Sequence, residues 1–166
     1  MQMTKWPYPE AEPDFDEVGE FDGWLAGSGS PGKSASAWRV VSKTDPSSFV
    51  EKVKLSRPKG TSPRAALGSL VGALEALKRG SSLDCYTRSE YAITAAESID
   101  VWKQRGWQST DEPLANRDIL LRIEEVLRTR QITLRMHHVP KARAPHDEII
   151  ETLTRRARGK VRDDAE

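Results

Sequence analysis

Arginine and lysine are the residues best suited to chemistry in the last third of the chain. Both carry a positive charge that can pair with phosphate, and Arg presents a planar fork that can hold a phosphate through two hydrogen bonds. A first group has no acidic residue close by and favours a phosphate-binding surface, whereas an ordinary solvated helix end explains the second group equally well. The first group is Arg128, Arg130, Arg135, Lys141 and Arg143, and the second is Arg155, Arg156, Arg158, Lys160 and Arg162.

Histidine and cysteine offer little further chemistry. His137 and His138 are adjacent, and neighbouring strand residues point to opposite faces, so the pair cannot chelate one metal ion from a regular strand. The single cysteine, Cys85, is expected to pack in the core rather than act as a nucleophile. One cysteine also excludes an internal disulfide framework and a metal–thiolate cluster. We therefore expect no resident cofactor.

Charge is distributed unevenly along the 166 residues, although the formal net charge is only +1. Residues 1–22 contain one basic and seven acidic residues, and the rest of the chain contains 25 basic and 18 acidic residues. A basic body behind an acidic leader is compatible with a polyanionic partner, and also with an ordinary solvated surface. Because no long apolar run or signal-peptide core is present, we expect a soluble, cytoplasmic protein with no membrane partner.

The hydrophobic pattern indicates strands first and then strands alternating with helices. Strands are predicted at 18–24, 37–41, 49–55, 82–87 and 131–138, with a Gly/Ser/Pro loop at 27–36. Helices are predicted at 63–79, at 90–105, after Asn116, and at 146–158. Three consecutive strands followed by this alternation indicate a mixed α/β fold, in which a five-stranded mixed sheet is flanked by helices.

Several segments resemble the type 1 ribonucleases H, whose elements follow the same order. VWKQRGWQ (101–108) is very similar to the W-K-x-R-G-W run of the protruding handle in that family. Further matches are GALEALKRG (72–80) for the core helix, CYTRSEYA (85–92) for the central strand-to-helix turn, FDG (21–23) for the first catalytic strand, GSPG (29–32) for the next loop and HDEI (146–149) for the last helix. The resemblance implies a ribonuclease-H-like domain at 17–160, after a disordered or loosely ordered acidic leader (1–16) and before a tail (161–166).

The catalytic residues that the resemblance implies are incomplete. In that family four carboxylates hold two Mg²⁺ ions that promote cleavage of the RNA strand of a hybrid. Asp22 and Asp147 correspond to two of these carboxylates, but Ala66 and Arg88 stand at the other two positions. Since Mg²⁺ needs hard oxygen ligands and is repelled by a fixed cation, we expect no intact catalytic set and no bound metal. Arg88 is expected to form a salt bridge with Asp22 or Asp147.

The resemblance also implies a phosphate pocket for the DNA strand of a hybrid. Thr61 and Arg64 match its residues, and Ser30 replaces the usual Asn with a shorter donor. The N-terminus of a helix at this place would itself favour an anion.

The handle is the second surface expected to contact nucleic acid. Its residues here are Trp102, Lys103, Arg105 and Trp107. Packing of the two tryptophans against a neighbouring element explains their spacing as well as hybrid contact does.

Three functions are compatible with these residues. The preferred one is a catalytically inactive ribonuclease-H-like protein, not an enzyme, that binds an RNA–DNA hybrid or double-stranded RNA without cleaving it. The alternatives are a protein-interaction scaffold that reuses the fold, and an active, metal-dependent hybrid ribonuclease that would require Mg²⁺. Nucleic acid is therefore the expected partner, with a protein partner as the alternative.

Overall fold

Three strands open the fold, and helices alternate with the strands that follow. The computed structural model describes residues 11–30, 32–56, 61–109, 112–113, 115–140 and 145–163. The elements are β1 (Glu20–Ser30), β2 (Lys33–Ser42), β3 (Phe49–Ser56), α1 (Ser62–Glu75), β4 (Ser82–Thr87), α2 (Glu90–Glu97), α3 (Ile99–Gln104), β5 (Gln108–Ser109), β6 (Glu112–Pro113), α4 (Arg117–Thr129), β7 (Thr133–His138) and α5 (His146–Asp163).

The main sheet has five strands in the order β3-β2-β1-β4-β7, and β5 and β6 form a separate two-stranded pair. The β1–β2 and β2–β3 pairs are antiparallel, whereas the β1–β4 and β4–β7 pairs are parallel. The prediction of a five-stranded mixed sheet flanked by helices is therefore confirmed.

Successive strand residues point to opposite sides of the sheet, and helices cover both of its faces. On the α1 side, Leu25 and the fully buried Cys85 pack with the leucines of α1, which confirms the expected packing role of the cysteine. On the α5 side, Trp24 packs with Ile150 and Leu153. Residues of β1 therefore alternate between two separate apolar clusters.

The predicted Gly/Ser/Pro loop at 27–36 is wrong for most of its length, because β1 extends to Ser30 and β2 begins at Lys33. The glycines serve close packing rather than a turn. A Cβ added at Gly27 would lie 2.7 Å from the Ala65 Cβ, and one added at Gly29 would lie 2.7 Å from the backbone nitrogen of Ser62. The end of β1 therefore lies directly against the start of α1.

The helices also differ from their predicted bounds. The first residue outside α1 is the N-cap Thr61, whose hydroxyl accepts a 3.2 Å hydrogen bond from the Arg64 backbone N–H. Helix α1 ends at Glu75 rather than at residue 79, and the Arg130 guanidinium donates to the carbonyls of Glu75 and Leu77. The predicted helix at 90–105 is divided into α2 and α3 around Ser98.

The ends of the predicted domain are partly visible. The backbone N–H groups of Asp14 and Phe15 donate to the Ala76 carbonyl, and Phe15 is buried against Phe21. Helix α5 continues to Asp163, so residues 161–163 of the predicted tail are helical. Residues 1–10 and 164–166 lie outside the described residues. Across the described part of the chain, none of the helices combines the length and apolar character needed to span a bilayer.

Candidate active site

A groove of about 290 Å³ opens where β1 and β4 meet the first turn of α1 and the inner face of α5. The close approach of Gly27 to α1 forms its floor, and residues of α5 close one side. Its lining includes Ala26, Ser62, Pro63, Ala66, Arg88, Ile150 and Thr154. The N-terminus of α1 borders the groove, so the positive end of its helix dipole favours an anion there.

Arg88 is the charged residue that lines this groove, and it contacts two carboxylates of α5. One guanidinium nitrogen pairs with the Asp147 carboxylate, and the other lies 2.8 Å from Glu151 Oε2. The predicted salt bridge between Arg88 and Asp147 is confirmed. The Arg88 guanidinium also holds the pKa of Glu151 below its usual range. Glu151 was missed by the sequence analysis, although a residue four positions after Asp147 shares its helix face.

Asp22 does not belong to this groove, contrary to expectation. In the parallel β1–β4 pair Asp22 is level with Asp84 and Trp24 with Tyr86. Ala26 and Arg88, which both line the groove, each follow two residues later along the chain. Four residues of strand place Asp22 about 13 Å from the level of Ala26. The F-D-G match identified the correct strand and the correct face of the sheet. Asp22 lies two same-face positions before Ala26, because β1 continues further than predicted.

Asp22 instead borders a second charged cluster on the open part of the sheet. Asp84 is its centre: it accepts hydrogen bonds from Lys43 Nζ at 2.5 Å and from Arg135 Nε at 2.8 Å, and it lies 2.8 Å from His137 Nε2. Lys43 Nζ is 3.8 Å from Asp22 Oδ1. The Arg135 guanidinium, helped by Lys43 and His137, holds the pKa of Asp84 well below its usual range although burial acts in the opposite direction.

A stack of rings fixes the start of α5 beside the groove. Tyr86 packs against His146 at 4.1 Å and against His137 at 4.9 Å between ring centroids. The Trp24 indole N–H donates to His146 Nδ1 at 3.0 Å. Because Asp147 follows His146 directly, this stack positions the carboxylate that meets Arg88.

Two of the three residues matched to a phosphate pocket, Thr61 and Arg64, lie together at the start of α1, but their side chains have different partners. Thr61 is exposed at the entry of α1, where its hydroxyl caps the helix. Arg64 is buried and turned to α4, where it forms two hydrogen bonds with the Asp118 carboxylate at 2.9 and 2.7 Å. Ser30 ends β1, and its side chain lies outside the described part of the chain.

The handle residues divide into core and surface. Trp107 is only 4% exposed and belongs to the main core cluster, and Trp102 packs against that cluster. Lys103 pairs with Glu124 at 3.1 Å, and the exposed Arg105 lies 5.8 Å from the ring centroid of Trp102. Lys103 and Arg105 are therefore the handle side chains that a partner can reach most readily.

A family model described as RNase H matches residues 22–151, a range that contains most of the residues that line the groove. This chain belongs to the ribonuclease H family. Curated relatives agree: a ribonuclease H of Rhodopseudomonas palustris (strain TIE-1) is 37% identical over 130 residues, covering 76% of this chain and 77% of the relative. A ribonuclease H of Nitrobacter hamburgensis is 33% identical over 129 residues, covering 76% of this chain and 80% of that relative.

Solved structures share the ribonuclease H fold. The RNase H1 of the archaeon Halobacterium salinarum NRC-1 matches 86% of this chain and 99% of its own with a TM-score of 0.58 and 20% identity. A foamy viral protease–reverse transcriptase in complex with an RNA/DNA hybrid matches 95% of this chain and 22% of its own with a TM-score of 0.62 and 14% identity.

The relatives contradict the prediction of an inactive protein that binds duplexes without cleaving them. Proteins 30–37% identical over most of the chain are named Ribonuclease H, which favours the active ribonuclease among the three expected functions. The prediction was wrong because it equated two replaced motif carboxylates with lost activity.

The groove residues do not fit the two-ion centre of the family. Two ions need a full set of carboxylates, and Ala26 and Ala66 bring no oxygen ligand to the groove. Within the described ranges no group of three or more His, Cys, Asp or Glu side chains is arranged to hold a metal ion. One Mg²⁺ is less demanding, because it commonly binds through one or two carboxylates, phosphate oxygens and water. Asp147 and Glu151 fit that smaller set once Arg88 turns away from them.

Proposed function

We propose that this chain is a ribonuclease H that cleaves the RNA strand of RNA–DNA hybrids, with Arg88 and two carboxylates of α5 as its central residues. The observation that carries the proposal is the position of Arg88 in the groove, in contact with both Asp147 and Glu151. Support comes from family membership, from relatives named Ribonuclease H, and from the hybrid held by the foamy viral protein of the same fold.

Arg88 is the proposed phosphate contact. A guanidinium binds phosphate through two parallel hydrogen bonds, as it binds a carboxylate, so an incoming backbone can take over the bonds that Arg88 makes in the free protein. The positive end of the α1 helix dipole adds to the attraction of the same anion, since Ser62 and Pro63 of its first turn line the groove. The scissile phosphate is thus held between two positively polarised groups.

Asp147 and Glu151 become available to a divalent ion when Arg88 turns to the phosphate. These two carboxylates would hold Mg²⁺, which would supply an activated water molecule as the nucleophile. In the free protein the Arg88 guanidinium contacts both carboxylates, so its positive charge partly offsets their two negative charges. Substrate and metal are therefore expected to bind with positive cooperativity.

Cleavage of a hybrid with a labelled RNA strand tests the proposal in Mg²⁺ and in Mn²⁺. The purified protein should cleave the RNA strand, and Asp147→Asn combined with Glu151→Gln should abolish turnover. Arg88→Ala should lower kcat/KM about 10²-fold, the usual order for removing one contact to transition-state charge. Glu148→Gln is the matched control, because Glu148 is an exposed acid on the same helix and should be dispensable.

Two results would overturn the proposal. One is the absence of turnover in both metals by a protein whose fold is verified by circular dichroism. The other is turnover that persists in the Asp147→Asn/Glu151→Gln variant, since that activity would come from other residues or from a contaminating nuclease. A cytoplasmic location stays a prediction.

A further inference from the structure

The exposed face of α5 changes charge along its length. Positions 148, 151, 155, 158 and 162 follow at intervals of three or four residues, so they share one face of the helix. Glu148 and Glu151 occupy the start of this face, and Arg155, Arg158 and Arg162 occupy the rest; all five are exposed. We call these three arginines the basic ridge. Between residues 155 and 162 the helix contains five basic residues and no acidic one.

Among the residues that the structure describes, the ridge arginines form few direct ion pairs. Arg158 makes no ion pair within the part of the chain that the structure describes, and Arg155 donates only a weak 3.4 Å hydrogen bond to Thr152 there. Arg162 contacts Asp163 at 3.3 Å, but both side chains are more than 70% exposed, so water screens the pair. The opposite face of α5 is held to the sheet by Leu153, Ala157 and Val161. The fold therefore does not need the ridge charges.

The ridge is continuous with the groove. Glu151, which contacts Arg88, is one helical turn before Arg155, and the pKa of Glu151 is lowered by Arg88 and further by Arg155 and Arg158. From Glu151 to Arg162 the helix rises about 16 Å at ~1.5 Å per residue. That length corresponds to roughly five nucleotides at the ~3.4 Å spacing of one duplex strand.

We propose that the basic ridge binds the phosphate backbone of the hybrid beyond the groove, as a second anchoring surface on α5. The proposal rests on the proposed function for its ligand, because the ridge leads away from the residue assigned to the scissile phosphate. Exposed arginines one turn apart match a strand of evenly spaced phosphates, and their planar forks hold phosphate oxygens through two hydrogen bonds. The ridge adds affinity and sets the direction of the bound strand without touching the reacting atoms.

Equilibrium binding of a hybrid duplex in EDTA measures the ridge without cleavage. The variant Arg155→Gln/Arg158→Gln/Arg162→Gln should bind on the order of 10²-fold more weakly near ~0.1 M salt. The slope of log affinity against log salt should become shallower by roughly 2.7, which is three contacts at about 0.9 each. The matched control Lys52→Gln/Lys78→Gln/Arg79→Gln removes three exposed cations, one on β3 and two in the segment after α1, and should leave affinity and slope unchanged.

The outcomes separate the ridge from the proposed function. If the wild-type protein cleaves the hybrid but the ridge variant binds with wild-type affinity and slope, the ridge proposal is wrong and the ribonuclease proposal stands. If binding depends on the ridge but no cleavage occurs in Mg²⁺ or Mn²⁺, the ribonuclease proposal fails and the ridge proposal stands. The ridge proposal would be overturned if the ridge variant and the control lost the same affinity for the hybrid, because the effect would then be general charge attraction. It would also be overturned if the ridge variant lost as much affinity for a polyglutamate peptide as for the hybrid.

Discussion

The ion pair between Arg64 of α1 and Asp118 of α4 should be a main determinant of stability. Both side chains are at most 10% exposed, and the guanidinium meets both carboxylate oxygens in a two-pronged arrangement. Asp118→Ala removes that carboxylate and retains the buried cation. Arg64→Met combined with Asp118→Leu removes both charges and keeps an apolar filling between the helices.

The expected loss for Asp118→Ala is about 3–5 kcal/mol of unfolding free energy, the usual cost of removing one partner from a buried pair. A domain of this kind is stable by only about 5–15 kcal/mol, so the loss is a large fraction of the total. The double variant should recover most of it, because apolar replacement of both partners is often neutral. If the urea m-value is about 2 kcal/mol per molar, the midpoint of Asp118→Ala should fall by roughly 2 M.

Urea unfolding followed by circular dichroism measures these differences, and equal m-values are needed for the comparison. A loss below ~1 kcal/mol for Asp118→Ala would refute the reasoning, as would a double variant no more stable than the single one. The double variant also tests the phosphate role that the family resemblance implies for Arg64. Since Asp118 occupies the Arg64 guanidinium, the salt dependence of hybrid binding should not change.

Two further perturbations test the second charged cluster and the helix–sheet contact. The pKa of Asp84 is lowered on folding from its ordinary value of 3.8, so its ionised form stabilises the protein above that pH and the stabilisation is lost as the pH falls below it. Asp84→Asn should therefore flatten the decline of the urea midpoint below about pH 5. A decline as steep as that of the wild type would contradict this reasoning. Gly72→Ala should lower the unfolding free energy by roughly 1–3 kcal/mol through overpacking, because the added Cβ would lie 2.4 Å from the Trp38 ring. The control Gly159→Ala, whose added Cβ would lie 3.6 Å from its nearest neighbour, should be neutral or slightly stabilising. Equal thermal midpoints for the two variants would refute the contact between Gly72 and Trp38.

Strands were predicted correctly where the pattern within a short segment is sufficient to identify them. Strands β3 and β4 lie almost where alternation and apolar runs placed them, since those signals need no knowledge of the partner strand. The segment 27–36 was misassigned because glycine is compatible both with a turn and with a strand pressed against a helix. Only α1, more than thirty residues later in the chain, decides between these two uses of Gly27 and Gly29.

The same distinction explains the site. The contact between Arg88 and Asp147 could be predicted, because each residue lies in a short segment resembling a family motif. The position of Asp22 could not, since it depends on how far β1 continues beyond the motif and on its register with β4. The Asp84 cluster was missed because its partners come from the residue that follows β2 and from β7, and no sequence spacing links Lys43 to Arg135.

The sheet order also bears on how the protein behaves at high concentration. Strands β3 and β7 are the two edges of the main sheet, where unpaired backbone groups can recruit a second molecule and start aggregation. The β3 edge carries the exposed lysines Lys52 and Lys54, and the β7 edge carries the exposed Arg135 and His138. The positive charges of the two β3 lysines oppose edge-to-edge pairing of two copies, so replacing both lysines with valine would favour association through β3 and lower solubility.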